Sequence, residues 1–288
     1  MKVAISAVAL VTLLLIPAFA ASKAQDTEIV LSKDNTAILN GPVDENSSSD
    51  IINQVSKLNV RSFGDIRPSK PIYLFLYTPG GSVQSGLEMI EAVKSSPRPI
   101  NTITMFAASM GFQIVQNLKE RLVLSSGTLM SHHARGGVQG EFGGKPASQV
   151  RSRLSFLERV ISELDMQTVA RTKGKQTLAS YTEAYDHEMW LTGSEAVELG
   201  FADKVVSVRC DQSLNGTSKH TQNIETPFGA LAVNYELSDC PLNTAPQNIK
   251  ANESSIPSSM TDDQVADAIR RFKTQSSNIS NHVLPMRF

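Results

Sequence analysis

Cysteine is nearly missing from this chain: only Cys210 and Cys240 occur in 288 residues. Neither has a second ligand nearby at finger-type spacing, so no metal site is expected, and no cofactor is expected either. A charge imbalance is also missing. Lys and Arg number 27 against 28 Asp and Glu, a net charge of -1, which gives no support for nucleic-acid binding or a polybasic membrane patch. There is no internal repeat, which excludes a solenoid. Apart from the N-terminus, no run is apolar enough to span a bilayer.

The N-terminus is the exception. Lys2 precedes an uncharged run from Val3 to Ala20, which closes with Pro17, Ala18, Phe19 and Ala20. A basic start, an apolar middle and an Ala-x-Ala exit are the parts of a secretory signal peptide. Cleavage after Ala20 is expected, with Ala24 a second position; left uncleaved, the run becomes a membrane anchor. The chain is expected to be periplasmic or secreted. Two cysteines in an exported chain suggest one disulfide, Cys210 to Cys240, closing a loop that contains a hairpin around Pro227-Phe228-Gly229.

Between these ends the pattern alternates strand and helix. Residues 28–31 and 36–39 read as short strands, and 47–59 as an amphipathic helix behind several capping residues. The run 72–77 (IYLFLY) is continuously apolar, as in strands buried on both faces of a parallel sheet. A helix follows over 83–95, a strand over 100–105, a helix from Phe112 and a strand over 120–124. A Gly-rich excursion covers 134–145. A long helix runs from Pro146 to about Thr172, a shorter one covers 176–184, Ser194 caps another, and 204–208 is a final strand. This order means an α/β fold built of βαβ units. Pro241 to Ser259 reads as linker or disorder, followed by a short amphipathic helix from Thr261.

Three features fall at corresponding ends of successive strands. Gly80 and Gly81 follow the strand 72–77, where paired glycines let a substrate approach the backbone and a free N–H can meet an oxyanion. Ser109 follows the next strand. Small residues before it allow a sharp strand-to-helix turn, which exposes the hydroxyl and aims the next amides at whatever it attacks. His132 follows the strand after that and can take the serine's proton if an acid orients its other nitrogen. Asp186 and Glu188 are both candidates for that acid.

These same residues carry a resemblance. Thr78-Pro79-Gly80-Gly81-Ser82, Ala107-Ala108-Ser109-Met110-Gly111, Leu129-Met130-Ser131-His132 and the stretch from Trp190 to Val205 resemble, in order and in spacing, the successive motifs of the Clp protease proteolytic subunit. Gly136-Gly137-Val138-Gln139-Gly140 is similar to the start of that family's handle segment. The resemblance spans roughly residues 28–208.

It implies the crotonase-like fold: a curved, mainly parallel sheet wrapped by helices, with a protruding handle. It implies Ser109 as nucleophile, His132 as base, and the amides of Gly81 and Met110 as oxyanion hole. Gly80, Ser82, Gly136, Gly137 and Val138 are then expected to bind substrate. The family's third member is an aspartate two residues before the aromatic of the Trp190 segment; Glu188 stands there, with Asp186 as its competitor. His133 has no counterpart in the family pattern and, by alternation along a strand, should point away from His132.

The expected organisation is a signal peptide over 1–20, a catalytic domain over 28–208, a hairpin extension over 209–242 and a polar tail over 243–288. The expected activity is that of a serine endopeptidase acting on peptides or unfolded proteins. It should be a homo-oligomer and need no ATPase partner, since an exported chain meets no ATP. The alternatives are an inactive protease-fold scaffold and a Ser-Lys peptidase similar to signal peptide peptidase A, for which Lys145, Lys173 and Lys175 are available. An acyl-CoA-handling crotonase is more distant.

Overall fold

The computed structural model describes residues 28–61, 70–135, 146–243 and 245–279. The apolar run 3–20 and the glycine-rich residues 136–145, including Gly136, Gly137 and Val138, lie outside the described residues, as does Lys145. Among the described residues no helix is long and apolar enough to cross a membrane.

The elements follow in chain order. β1 (Glu28–Leu31), β2 (Thr36–Asn40), α1 (Glu45–Arg61), β3 (Ile72–Thr78), α2 (Val83–Lys94), β4 (Ile100–Ala108), α3 (Met110–Asn117) and β5 (Arg121–Ser131) form the first part. Then come α4 (Pro146–Arg171), α5 (Leu178–Tyr185), β6 (Met189–Thr192), α6 (Gly193–Glu198) and β7 (Lys204–Cys210). The extension holds β8 (Thr217–Thr226), β9 (Gly229–Ser238), β10 (Gln247–Ala251) and α7 (Asp262–Ile279).

Six strands form one sheet in the order β1-β7-β5-β4-β3-β2, parallel throughout. β6 adds an antiparallel pairing to the end of β5. β3 shows why its sequence is continuously apolar. Ile72, Leu74 and Leu76 pack towards the helices, whereas Tyr73 and Phe75 pack on the opposite face with Ile103, Leu122 and Leu124. Both faces are dry, so both need apolar side chains.

The helix starts are dictated locally. Ser82 caps α2 by accepting from the Ser85 amide at 3.2 Å. Thr192, not Ser194, caps α6: its hydroxyl takes the Glu195 amide while the Glu195 carboxylate takes the Thr192 amide. This reciprocal pair satisfies two donors that the first helical turn leaves open, which Ser194, one position too late, cannot do. Buried Arg121 ties β5 to the start of β7 through Asp203, with Nη2–Oδ1 at 2.8 Å and Nε–Oδ2 at 3.1 Å.

The stretch 241–259 is more ordered than its composition suggests. β10 pairs with β9, which pairs with β8, and α7 packs on this small sheet through Phe272 against Leu231 and Val233. Asn, Ser and Pro dominate the connections, but Ile249 and Ile256 reach the shared apolar cluster, and that contact orders the segment. The same extension closes the outer face of the main sheet. Leu214, Leu242 and the Cys210–Cys240 pair, whose Cα atoms are 5.9 Å apart and whose sulfurs are joined, pack against the cluster containing Phe75, Leu122 and Leu124.

Candidate active site

The sheet delivers the candidate residues at the C-terminal ends of adjacent strands. β4 runs straight into α3, and Ser109 is the single residue between them. Its φ is +55° and ψ is -119°, a conformation that a non-glycine residue adopts only when its surroundings impose it. The surroundings are visible. The Ser109 amide donates to the Met130 carbonyl at 2.9 Å, clamping the elbow to β5, and the Ser109 carbonyl accepts from the Gln113 amide inside α3. Among the described residues its hydroxyl makes no hydrogen bond and does not cap the helix. It lines a small cavity of about 70 Å³ together with Gly81, Met110 and His132.

Gly81 is aimed by a single bridge to Val43. The Val43 amide donates to Gly80 O at 2.9 Å and the Ser82 amide donates to Val43 O at 2.8 Å. A parallel bridge of this kind uses the groups on either side of the bridged residue, so the Gly81 N–H and C=O face the other way, towards the cavity. Its φ of +150° lies where glycine is favoured, and an added Cβ would sit 2.3 Å from Val43 O. The Met110 amide is the first of α3, without an acceptor inside the helix, and it carries the positive end of the helix dipole. Two amides therefore converge near one hydroxyl.

Gly80 and Ser82 do not line the cavity. Gly80 lies behind Ser109, so close that a Cβ there would be 2.7 Å from Ser109 Cβ. The Ser82 hydroxyl is taken up in capping α2.

His132 follows the last residue of β5 and lines the same cavity. So does His133, contrary to the alternation argument: pairing stops at Ser131, and with it the rule that successive side chains point to opposite faces. His133 Nε2 lies 2.5 Å from Asp186 Oδ1, and its ring stands edge-on to Tyr185 with centroids 4.6 Å apart.

Neither candidate acid is hydrogen-bonded to His132 in this structure. His132 Nδ1 is buried with no hydrogen-bond partner among the described residues, and no hydrogen bond joins His132 to Ser109. Glu188, itself at φ +65°, gives one oxygen to Arg135 Nη2 at 2.7 Å and the other to Trp190 Nε1 at 3.4 Å. Asp186 serves His133. The physical reason lies in a residue the sequence reading missed: Arg135 is a full guanidinium beside His132, and it outcompetes a neutral imidazole for the carboxylate.

Burial lowers the His132 pKa below the ordinary imidazole value of 6.5, the Arg135 charge lowers it further, and Glu188 opposes both. A base whose pKa is depressed stays neutral to lower pH. The acid limb of kcat/KM is therefore expected below pH 6.5. In Arg135→Ala two effects raise the His132 pKa, the lost cation and the freed Glu188, so the acid limb should move to higher pH. A limb that stays in place would show that Arg135 does not control this histidine.

Two further residues were missed. Asp165 of α4 and Tyr185 of α5 both line the cavity, joined by a hydrogen bond from Tyr185 Oη to Asp165 Oδ2 at 2.6 Å. The available signal was Asp165 itself, four residues after Ile161 on the apolar stripe of a long helix. Lys173 and Lys175 do not reach the cavity. Lys175 donates to Val197 O at 2.9 Å, and Lys173 is highly exposed near Asp203.

With this geometry in place, the sequence model of the Clp protease family matches residues 20–209. The chain belongs to the Clp protease family. It is 30% identical over 179 residues to the ATP-dependent Clp protease proteolytic subunit of Streptococcus suis (strain 98HAH33), covering 61% of this chain and 86% of the relative. The proteins of the same name from Streptococcus salivarius and Streptococcus pneumoniae (strain Hungary19A-6) are each 29% identical. They cover 62% and 64% of this chain, and 87% and 89% of their own lengths. The α/β sheet with flanking helices is thus a Clp-protease fold, and the protein is a serine peptidase. The family match ends at residue 209, so the extension from β8 to α7 lies beyond it.

Proposed function

We propose that this protein is an exported endopeptidase that cuts peptides or unfolded chains through Ser109, His132 and Glu188. One observation carries the reading: a strained serine at a strand–helix elbow, its hydroxyl free, shares a cavity with a histidine and two converging amides. Ser109 Oγ attacks the scissile carbonyl while His132 takes its proton. The oxyanion receives the N–H groups of Gly81 and Met110, and His132 returns the proton to the leaving amine. Water then hydrolyses the acyl-enzyme by the same route. Glu188 is the acid: His132 feels its charge, whereas Asp186 is spent on His133. It completes the triad when it leaves Arg135 for His132 Nδ1. The separated triad favours one rival, an inactive scaffold.

The relatives are named ATP-dependent; this chain is proposed to act without an ATPase. Support comes from the apolar run that closes at Ala20, since an exported chain meets no ATP. Export is supported by the apolar run before Ala20 and by the disulfide. Replacing Cys210 and Cys240 by serine, which reopens a loop of 30 residues' separation, should cost about 3.5 kcal/mol of the extension's stability, read by urea denaturation. A homo-oligomer is supported by α4, which leaves Leu154, Phe156 and Met166 exposed, and light scattering checks it.

The test of the reading is a fluorophosphonate probe on purified protein without ATP. Labelling that is lost in Ser109→Ala and in His132→Ala supports it. A folded wild type that remains unlabelled in its oligomer favours the scaffold, and labelling that survives His132→Ala favours a different base.

A further inference from the structure

Among the described residues Asp165 is the one buried carboxylate, 7% exposed, and it lies in the cavity of Ser109. Its partner set is unusual. Where this chain holds a shielded carboxylate for structural reasons, at Asp203, it supplies Arg121, whose guanidinium donates two hydrogen bonds and whose backbone amide donates a third. Asp165 receives only the phenol of Tyr185, and among the described residues no lysine or arginine pairs with it. Its second oxygen, Oδ1, is neither hydrogen-bonded nor sealed away from the cavity. A carboxylate withdrawn from water without a counter-ion is costly, and the cost is recovered when a cation arrives.

The walls suit such a cation. Val83, Ile161, Leu164 and the Tyr185 ring line one part of the cavity with the Asp165 carboxylate, alongside the polar Gln113 and Ser131. Apolar wall beside a buried carboxylate matches a side chain with a methylene stem and a cationic head. As it stands the cavity holds about two waters' volume, so the long side chain needs more room. The wall that would have to turn aside is His133, largely exposed, resting edge-on against Tyr185 and held by Asp186. Arg135, the cation at the rim, is largely exposed to water and pairs in this structure with Glu188 and not with Asp165.

We propose that Asp165 is the specificity-determining residue of this peptidase, selecting lysine or arginine at the position whose carbonyl Ser109 attacks. The inference rests on Ser109 being the nucleophile and assigns the substrate class of that same site. Burial raises the Asp165 pKa, while the Tyr185 hydrogen bond and the His133 charge lower it; the preference for a cation therefore weakens as pH falls and the carboxylate protonates.

The experiment compares peptidyl phosphonates carrying lysine, arginine, leucine or phenylalanine at the reactive position, with an unselective alkyl fluorophosphonate reporting separately whether Ser109 is reactive. Wild type is expected to react with the lysine and arginine probes at least about tenfold faster than with leucine. In Asp165→Asn, whose amide oxygen still accepts from Tyr185, the ratio should fall to about one. In Tyr185→Phe, which keeps the carboxylate, it should stay high. A wild type that reacts with fluorophosphonate but prefers leucine or phenylalanine overturns the proposal, and so does a ratio unchanged in Asp165→Asn. If Asp165→Asn fails to fold, the wild-type ratio and that of Tyr185→Phe decide. If no probe reacts, the nucleophile assignment fails and this inference with it.

Discussion

Ser109→Ala is expected to lower kcat/KM on a peptide substrate by about 10⁴-fold or more. The elbow is built for one atom. Ser109 is held at φ +55° by its own amide on Met130 and by the Gln113 amide on its carbonyl, and its hydroxyl is left without a structural task. Alanine keeps the amides of Gly81 and Met110 in place, so a small residual rate from oxyanion binding should persist. His132→Ala should lose a similar factor, and the double variant should be no worse than either single one, because nucleophile and base act as a unit. Losses that multiply instead would mean that the two residues work independently, which a triad does not allow. Single-turnover kinetics with an activated ester separates these outcomes, since it reads acylation alone.

Gly80→Ala should cost less activity than Ser109→Ala, about a hundredfold, and be far more damaging to stability. The residue sits at φ +86°, and an added Cβ would lie 2.5 Å from the Ala108 carbonyl, 2.7 Å from Ser109 Cβ and 2.8 Å from the Met110 amide. Backbone is on two sides, so nothing flexible can yield. The left-handed conformation costs about 1 kcal/mol and the forced displacement about 1–3 kcal/mol more. Any relaxation moves Ser109 or the Met110 donor, and misplacement by about 1 Å can cost a hundredfold in rate. Gly174→Ala is the control: φ is +84°, but nothing lies within 4 Å of the new Cβ. It should lose only about 1 kcal/mol and no activity. Urea denaturation and kcat/KM on both variants distinguish a general glycine effect from the local clash. Equal behaviour of the two would remove Gly80 from the account of the site.

Much of this site lies in short local patterns. The IYLFLY run, the paired glycines after it, the small residues around Ser109 and the His132 that closes β5 are each set within a few residues. The parallel order of β3, β4 and β5 then forces them to one edge of the sheet. The contents of the cavity between them are a different matter. Arg135, Asp165 and Tyr185 stand in a loop and two helices whose sequence names no partner, and their roles depend on which carboxylate meets which cation in space. The tail illustrates the same limit. The polar composition of 241–259 predicts a linker or disorder, yet β10 orders itself on the hairpin through a few apolar residues, while the amphipathic helix expected from Thr261 is present as α7.

By itself, the sequence determined the alternation of strands and helices, the position of the nucleophile's elbow and the residues that flank it, because backbone propensity and buried-strand patterning act over a few neighbours. Only the tertiary structure decided that Glu188 is held by Arg135, that Asp186 belongs to His133, and that a buried Asp165 faces the serine's cavity. Charges attract over distance and in competition, so a carboxylate's partner is set by every cation within reach and not by its place in the chain.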